Sequence, residues 1–366
     1  MPPRIGFTGD VMLGRLVDDR QRRRSVEAVW GSVLERLRGL DGLVVNLECV
    51  LSTRGREWQR THRPFHFRAD PDWAIPALER AGVDICALAN NHVLDYEVVA
   101  LRDTLDALDE AGIAHAGAGA TIDEALEPAV RTIGGSDRGD DDPDTDDESN
   151  AGDGGLDVVV VSLTDNTPEY AADEASPGTA RIEIDESRLD SRSRTRSDDD
   201  VDDPETKQRV RETLERARET NPDLLVASLH WGPNMVTEPP ESFREFGRWL
   251  VDEGVDVVHG HSAHVFQGIE VYEGSPIVYD AGDFVDDYRA DPELRNDRSF
   301  LFVLAVTPDG RPIELRLHPT EIDDCAVSEA SPDAAAWSRD RMRELSTPFG
   351  TEFDRHGDGL VLSLEE

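Results

Sequence analysis

Ile85-Cys86-Ala87-Leu88-Ala89-Asn90-Asn91-His92-Val93-Leu94-Asp95 is the stretch whose reading decides the fold. An apolar run of strand length stops abruptly at three polar residues. The period then changes, with Leu101, Leu105 and Leu108 at helical spacing ahead of Gly112, where a helix C′ glycine belongs. The same arrangement recurs at Ile5–Thr8 before Gly9-Asp10, at Leu43–Leu47 before Glu48, and at Leu224–Leu229 before His230. Strand and helix signals alternating in this way mark an α/β layered domain, and such folds place their sites at strand ends.

Working outward, Phe243, Phe246, Trp249 and Leu250 form a second helical stripe before Gly254. Ile269–Tyr272, Pro276–Tyr279, Phe300–Val306 and Ile313–Leu317 read as antiparallel strands joined by turns, and Pro332 to Leu345 reads as a helix. Two stretches break the pattern. Residues 136–157 hold ten acidic side chains in 22, and residues 187–206 mix Arg-Ser repeats with Asp198-Asp199-Asp200. Neither carries enough apolar surface to offset its ordering entropy, so both are expected to be flexible acidic insertions. The expected division is a main domain over 1–320 and a helical C-terminal extension over 321–366.

The chain has 366 residues, enough for a sizeable core, with 38 basic and 78 acidic residues and a net charge of −40. That field repels polyanions, so binding to nucleic acid is not expected. Lys207 is the only lysine. A lysine-poor, carboxylate-covered surface is similar to that of halophilic archaeal proteins. Cys49, Cys86 and Cys325 show no pairing or metal spacing and read as isolated thiols. With no basic-then-apolar N-terminal region and no run of 18 apolar residues, a soluble cytoplasmic protein without membrane insertion is expected.

Several strand-end residues suit metal or acid–base chemistry. Asp10 projects from a strand end into a polar crevice, as a metal ligand would. Asn46 and Glu48 point the same way by period-2 alternation. His92 lies where it can meet a substrate, with Asp95 one turn on to hold its imidazole. His230, His259, His261 and His264 are four of the ten histidines and fall at two adjacent strand ends. His261 and His264 are the better ligand candidates, and His259 fits a structural role. Asp283 is placed to orient a histidine from behind. Singly, each also fits a plainer reading: Asp10 as a cap or turn residue, His92 as a loop histidine, Asp283 as a surface turn. Imidazole with carboxylate suits manganese, zinc or iron.

The ordered set GDVMLGR (9–15), NLE (46–48), LANNHVLDY (88–96), LHWG (229–232), GHSAHVFQGIEVYEG (260–274) and YDAGDF (279–284) resembles the CapA family of poly-γ-glutamate capsule biosynthesis proteins. The resemblance covers residues 4–318. It implies a fold similar to the calcineurin-like metallophosphoesterases, a four-layer αββα sandwich with one or two divalent metals between strand ends. By motif position it implies Asp10, Glu48, Asn91, His230, His261 and His264 as metal ligands, Glu48 bridging, and His92 as the acid that protonates a leaving group. Arg15, Arg63 and Arg68 are implied as anion contacts, with Asn46 beside them. Met12 stands where the general metallophosphoesterase pattern has a second ligand, and Glu48 stands where it has an Asp.

Two functions follow as expectations. One is a metal-dependent hydrolase acting on an anionic small molecule or polymer. The other is an accessory, polymer-binding subunit working with capsule-synthesis partner proteins. In molar salt the screening length shrinks to about 3 Å and the self-repulsion of this surface is suppressed. Far-UV and near-UV circular dichroism signals are therefore expected to decay on transfer from molar salt to dilute buffer; full signal without added salt would contradict this.

Overall fold

The computed structural model describes residues 2–134, 155–184 and 204–365. The elements that position the site are, in chain order, β1 (Arg4–Val11), β2 (Gly42–Leu47), β3 (Ile85–Ala87), α1 (Glu97–Glu110), β4 (Leu156–Thr164), α2 (Pro204–Glu219), β5 (Leu224–His230), α3 (Glu241–Asp252), β6 (Val257–His261), β7 (Asp283–Val285) and α4 (Pro332–Ser346). One sheet runs from Asp354–His356 through Gly359–Ser363, Pro312–Asp323 and Arg298–Val306 to β1, β2, β3 and Ala114–Ala116, with β7 also on β1. The other has the order Ile269–Tyr272, Ser275–Val278, β6, β5, β4, Ala129–Ile133.

Side-chain alternation explains the layering. Val44 of β2 meets Val158 and Val160 of β4 in a core between the sheets, together with Phe7, Val226 and Phe302. Leu43 and Val45 face the opposite way, onto Trp30 and onto Leu101 and Leu108 of α1. Val159 and Val161 face outward onto Val210 and Leu214 of α2 and Phe243 and Phe246 of α3. The result is helix, sheet, sheet, helix: a four-layer αββα sandwich. Because both faces of each central strand are buried, these strands read as unbroken apolar runs. No helix among the described residues is long and apolar enough to cross a membrane.

The edges of two sequence expectations move. Most of 136–157 and 187–206 lies outside the described residues, but Leu156 and Asp157 already belong to β4, and Thr206 lies in α2, where it is buried and accepts the Glu183 N–H. The boundary expected at 320 falls inside the strand Pro312–Asp323. Beyond it the chain forms α4 but also the strands Ala326–Glu329, Asp354–His356 and Gly359–Ser363. Leu360 and Leu362 enter the inter-sheet core, so this segment is part of the sandwich and not a helical appendage.

β1 and β2 run parallel with Phe7 opposite Val44 and Asp10 opposite Asn46, so β1 carries one extra residue at Thr8-Gly9. A bulge of this kind re-aims the side chain that follows it, here Asp10. Gly9 is required because a Cβ there would lie 1.7 Å from the Gly282 carbonyl oxygen, while the adjacent Asp10 N–H donates to that oxygen at 2.9 Å. Gly9→Ala is expected to destabilise the protein by about 1–3 kcal/mol or more through overpacking, read as a lower denaturant midpoint, because backbone and not a yielding side chain is in the way.

Candidate metal centre

The C-terminal ends of β1, β2, β3, β5 and β6 converge where the two sheets meet, and each delivers a polar side chain into the interior. Asp10, Glu48, Asp95, His230 and His261 are fully buried, and His92, His264 and Asp283 nearly so. Register explains the neighbours. In the parallel pair β5 and β6, His230 lies opposite His261, and in β1 and β7, Asp10 lies opposite Asp283.

Asp10 is the hub. Its Oδ1 accepts from Asn46 Nδ2 at 2.7 Å and lies 3.5 Å from His261 Nδ1. Its Oδ2 accepts from the Ser262 N–H at 3.3 Å and lies 3.4 Å from His264 Nδ1. Two three-donor groups share it: Asp10, His230 and His261, and Asp10, His264 and Asp283, each with donor atoms within 4.8 Å of one another. Glu48 is in neither group; its Oε1 sits 3.7 Å from His92 Nε2 and 3.8 Å from His230 Nε2. Asp10 and not Glu48 is therefore the carboxylate common to both.

The hydrogen-bond network dictates which nitrogen His261 offers. His259 Nε2 lies 2.8 Å from the Thr8 carbonyl, which can only accept, so Nε2 carries the proton and Nδ1 is an acceptor. The Ser228 hydroxyl, 3.1 Å from His259 Nδ1, donates to it and in turn accepts from His261 Nε2 at 3.0 Å. His261 Nδ1 is thus left with a lone pair, facing Asp10 and lying 3.0 Å from His230 Nδ1. Burial pushes His259 down to about 4 and His230 down to about 3, which keeps both neutral. His259 links the Thr8 carbonyl to the Ser228 hydroxyl and thereby sets the tautomer of His261. Ser228 and Thr8 carried no sequence signal, being ordinary residues within apolar strands.

His92 has its own support. Its Nδ1 is 2.6 Å from Asp95 Oδ2, which also accepts the Phe67 N–H at 2.6 Å, while Tyr170 donates to Asp95 Oδ1 at 3.1 Å. Asp95 accepts the imidazole N–H, so Nε2 turns toward Glu48. Tyr170 was not legible in the sequence: it comes from a short turn after β4, far along the chain, with no motif around it. Asn91 is half-buried, and its carboxamide oxygen has no hydrogen-bond partner.

The remaining expectations divide. Asn46 is fully buried, with its amide bonded to Asp10 and Glu48 and its oxygen to Asn90 Nδ2, so its polar atoms are engaged in holding the carboxylates. Arg63 donates to the Asn91 carbonyl and to Thr167 Oγ1 and lies over the Tyr170 ring, bracing the 91–95 loop. Arg15 lies over Phe65, Phe67 and Tyr288, and those last two rings contact His92 and His264. Its Nη1 is paired with Asp287 Oδ1 at 3.4 Å. Arg68 is not brought to the cluster: it stacks over Tyr96 at 4.0 Å and donates to the Arg54 carbonyl. Met12 is buried among Val11, Leu13 and other apolar side chains.

The donors present fit a divalent cation. Glu48 Oε1, Asn91 Oδ1, His230 Nε2 and Asp283 Oδ2 are buried without partners. Such atoms cost roughly 1–3 kcal/mol each when unsatisfied, and a set of imidazole and carboxylate donors matches first-row transition metals. Burial, reinforced by Asp10, pushes the Glu48 carboxyl well up, while Asp10 is held down against its own burial by the hydrogen bond from His264 and by the flanking imidazoles. Ser228→Ala is expected to weaken divalent-metal affinity about 10–100-fold with the fold retained, because removing a supporting hydrogen bond frees the ligand's tautomer; metal titration monitored alongside circular dichroism checks it.

Comparison with known proteins agrees with the motifs. A probable polyglutamine synthesis accessory protein of Mycobacterium tuberculosis is 31% identical over 342 residues, 91% of this chain and 80% of its own. Capsule biosynthesis protein CapA of Bacillus anthracis is 25% identical over 283 residues, 77% of this chain and 59% of its own. A 5'-nucleotidase precursor from Thermus thermophilus aligns with 95% of this chain and 59% of its own at a TM-score of 0.44 and 14% identity. The family described as bacterial capsule synthesis protein PGA_cap matches residues 4–139 and 139–288. On that match, the chain belongs to the bacterial capsule synthesis protein PGA_cap family.

Proposed function

We propose that this protein is a metal-dependent phosphoester hydrolase associated with polyglutamate capsule synthesis, working at high salt. The observation that carries this reading is the pairing of a buried carboxylate–imidazole donor set with a separately supported histidine, His92, at its edge. A bound divalent cation supplies a lowered water pKa and neutralises charge on phosphoryl oxygens. The chain's own residues do the rest. Asp95, fixed by the Phe67 N–H and the Tyr170 hydroxyl, keeps the His92 ring in one orientation. His92 in its protonated form then presents Nε2–H to the leaving oxygen and transfers that proton as the bond to phosphorus breaks. Glu48 Oε1, at 3.7 Å from Nε2, faces the same side of the ring. Phe67 closes over the ring at 4.7 Å between centroids and excludes water from that side.

A second reading is a non-catalytic accessory subunit that holds polymer or metal for capsule-synthesis partners. The description of the Mycobacterium tuberculosis relative as a probable accessory protein favours it.

Hydrolysis of a generic aryl phosphodiester in molar salt separates the two. On the first reading, chelation abolishes turnover and His92→Ala lowers kcat about 10²–10⁴-fold while metal content is unchanged. Tyr170→Phe is expected to lower kcat less than His92→Ala, leaving KM unaltered, since it acts only through Asp95. Metal binding without turnover of phosphodiesters or phosphomonoesters would sink the hydrolase reading in favour of the second.

A further inference from the structure

Among the described residues four large apolar side chains are exposed: Leu16, Phe65, Val130 and Met235. Phe65, at 42% exposure, is the aromatic one. A single exposed apolar residue needs no explanation, but this ring is not loose on the surface. The Arg15 guanidinium covers it at 4.4 Å, and Tyr288 meets it at 5.8 Å between centroids with a tilt of 55°. Tyr288 in turn lies 5.1 Å from the His264 ring and 5.9 Å from Phe67, which lies 4.7 Å from His92. A run of ring contacts thus leads from the surface at Phe65 to His264 and His92.

Local geometry holds this arrangement. Gly14 lets the segment after β1 pass against the loop that carries Phe65, since a Cβ there would lie 2.5 Å from the Arg68 nitrogen and 2.7 Å from Phe67 Cα. Arg15 follows with φ at 56°, a backbone region that is costly for a residue with a side chain and that clusters at ligand-binding sites. Its guanidinium is anchored through Nη1 to the buried Asp287 carboxylate, whose other oxygen accepts the Leu16 N–H at 3.0 Å. One partly exposed cation and two exposed apolar side chains, Leu16 and Phe65, therefore stand together beside the donor set, on a chain whose net charge is −40. That combination fits an anion that also carries a flat apolar group. In molar salt the screening length is about 3 Å, so an arginine attracts anions only at contact, and the ring is left to discriminate between them.

We propose that Phe65 is a specificity-determining residue, whose exposed ring stacks against a planar aromatic group of the phosphoester substrate while Arg15 beneath it meets the anionic part. This deepens the reading of the site as a phosphoester hydrolase and rests on it. Two ring contacts separate Phe65 from His264, so the flat group stands a short linker away from the phosphoryl group. Aromatic pairs of this kind favour offset stacking, and a ring already fixed by Arg15 and Tyr288 loses little freedom on forming one. The substrate class is then esters bearing an aromatic group, selected over alkyl esters of the same charge.

The test is isothermal titration calorimetry of the full-length protein in molar salt with manganese(II). The two probes, 3-phenylpropylphosphonate and propylphosphonate, resist hydrolysis, share the anion and the linker, and differ in the ring. Wild type is expected to bind the phenyl probe about tenfold more tightly, the discrimination that one stacked ring supplies. Phe65→Ala is expected to bring the ratio of the two affinities close to one, and Phe65→Trp to keep it. Because both probes use Arg15, the ratio is insensitive to any disturbance of the arginine. Equal affinities in wild type, or a preference that survives in Phe65→Ala, would overturn the proposal, as would binding of neither probe. Turnover of the aryl phosphodiester is read separately. Hydrolysis by a wild type that does not distinguish the probes removes this proposal and leaves the hydrolase reading, while a Phe65-dependent preference without hydrolysis removes the hydrolase reading and leaves Phe65 as the residue that selects the bound anion.

Discussion

The buried Asp10 carboxylate is the constraint on which this structure turns. It sits at the end of a central strand, directly after a bulge, and every loop that matters reaches it: Asn46 and the Ser262 N–H by hydrogen bonds, His261 and His264 by imidazole nitrogens, Asp283 by strand register. A carboxylate in the interior is tolerable only with such partners. The local fold is arranged to supply them, down to the absence of side chains at Gly9, which lets β1 lie against the Ala281-Gly282 backbone.

The same bulge links the chemistry to the scaffold. It leaves the Thr8 carbonyl facing His259, which sets the Ser228 hydroxyl, which sets the His261 tautomer. The tautomer of His261 is thus fixed three hydrogen bonds away by backbone geometry in the opposite sheet. The His92 side is built independently, through Asp95, Tyr170 and Phe67, so orientation of the His92 ring and assembly of the donor set are separable. That separation is what allows metal content and turnover to be measured as distinct quantities in variants.

Much of this was legible in the sequence because buried strands between helical layers leave unbroken apolar runs, and their polar terminators stand out against them. Asp10, Glu48, His92, His230, His261, His264 and Asp283 were all visible that way, as were the helix ending at Gly112 and the one ending at Gly254. What was not legible had one of two causes. Tyr170, Ser228 and Thr8 matter through contacts across the sandwich, and nothing local in their segments marks them. Arg68 and Asn46 were placed by motif position, which says which loop a residue is on but not which way its side chain turns; Tyr96 captures the first, and the two carboxylates capture the second. The C-terminal segment was read by its helix, while its short strands, interrupted by turns, carried too little periodicity to be counted into the sheet.

The central claim is that these strand ends assemble a divalent-metal centre around Asp10. Anomalous X-ray scattering from crystals grown in molar salt with manganese(II) tests it directly. The account predicts density within coordination distance, about 2.0–2.3 Å, of an Asp10 carboxylate oxygen and His261 Nδ1. Crystals whose anomalous density lies only at surface carboxylates, with Asp10 still bonded to Asn46 and flanked by the histidines as here, would contradict it.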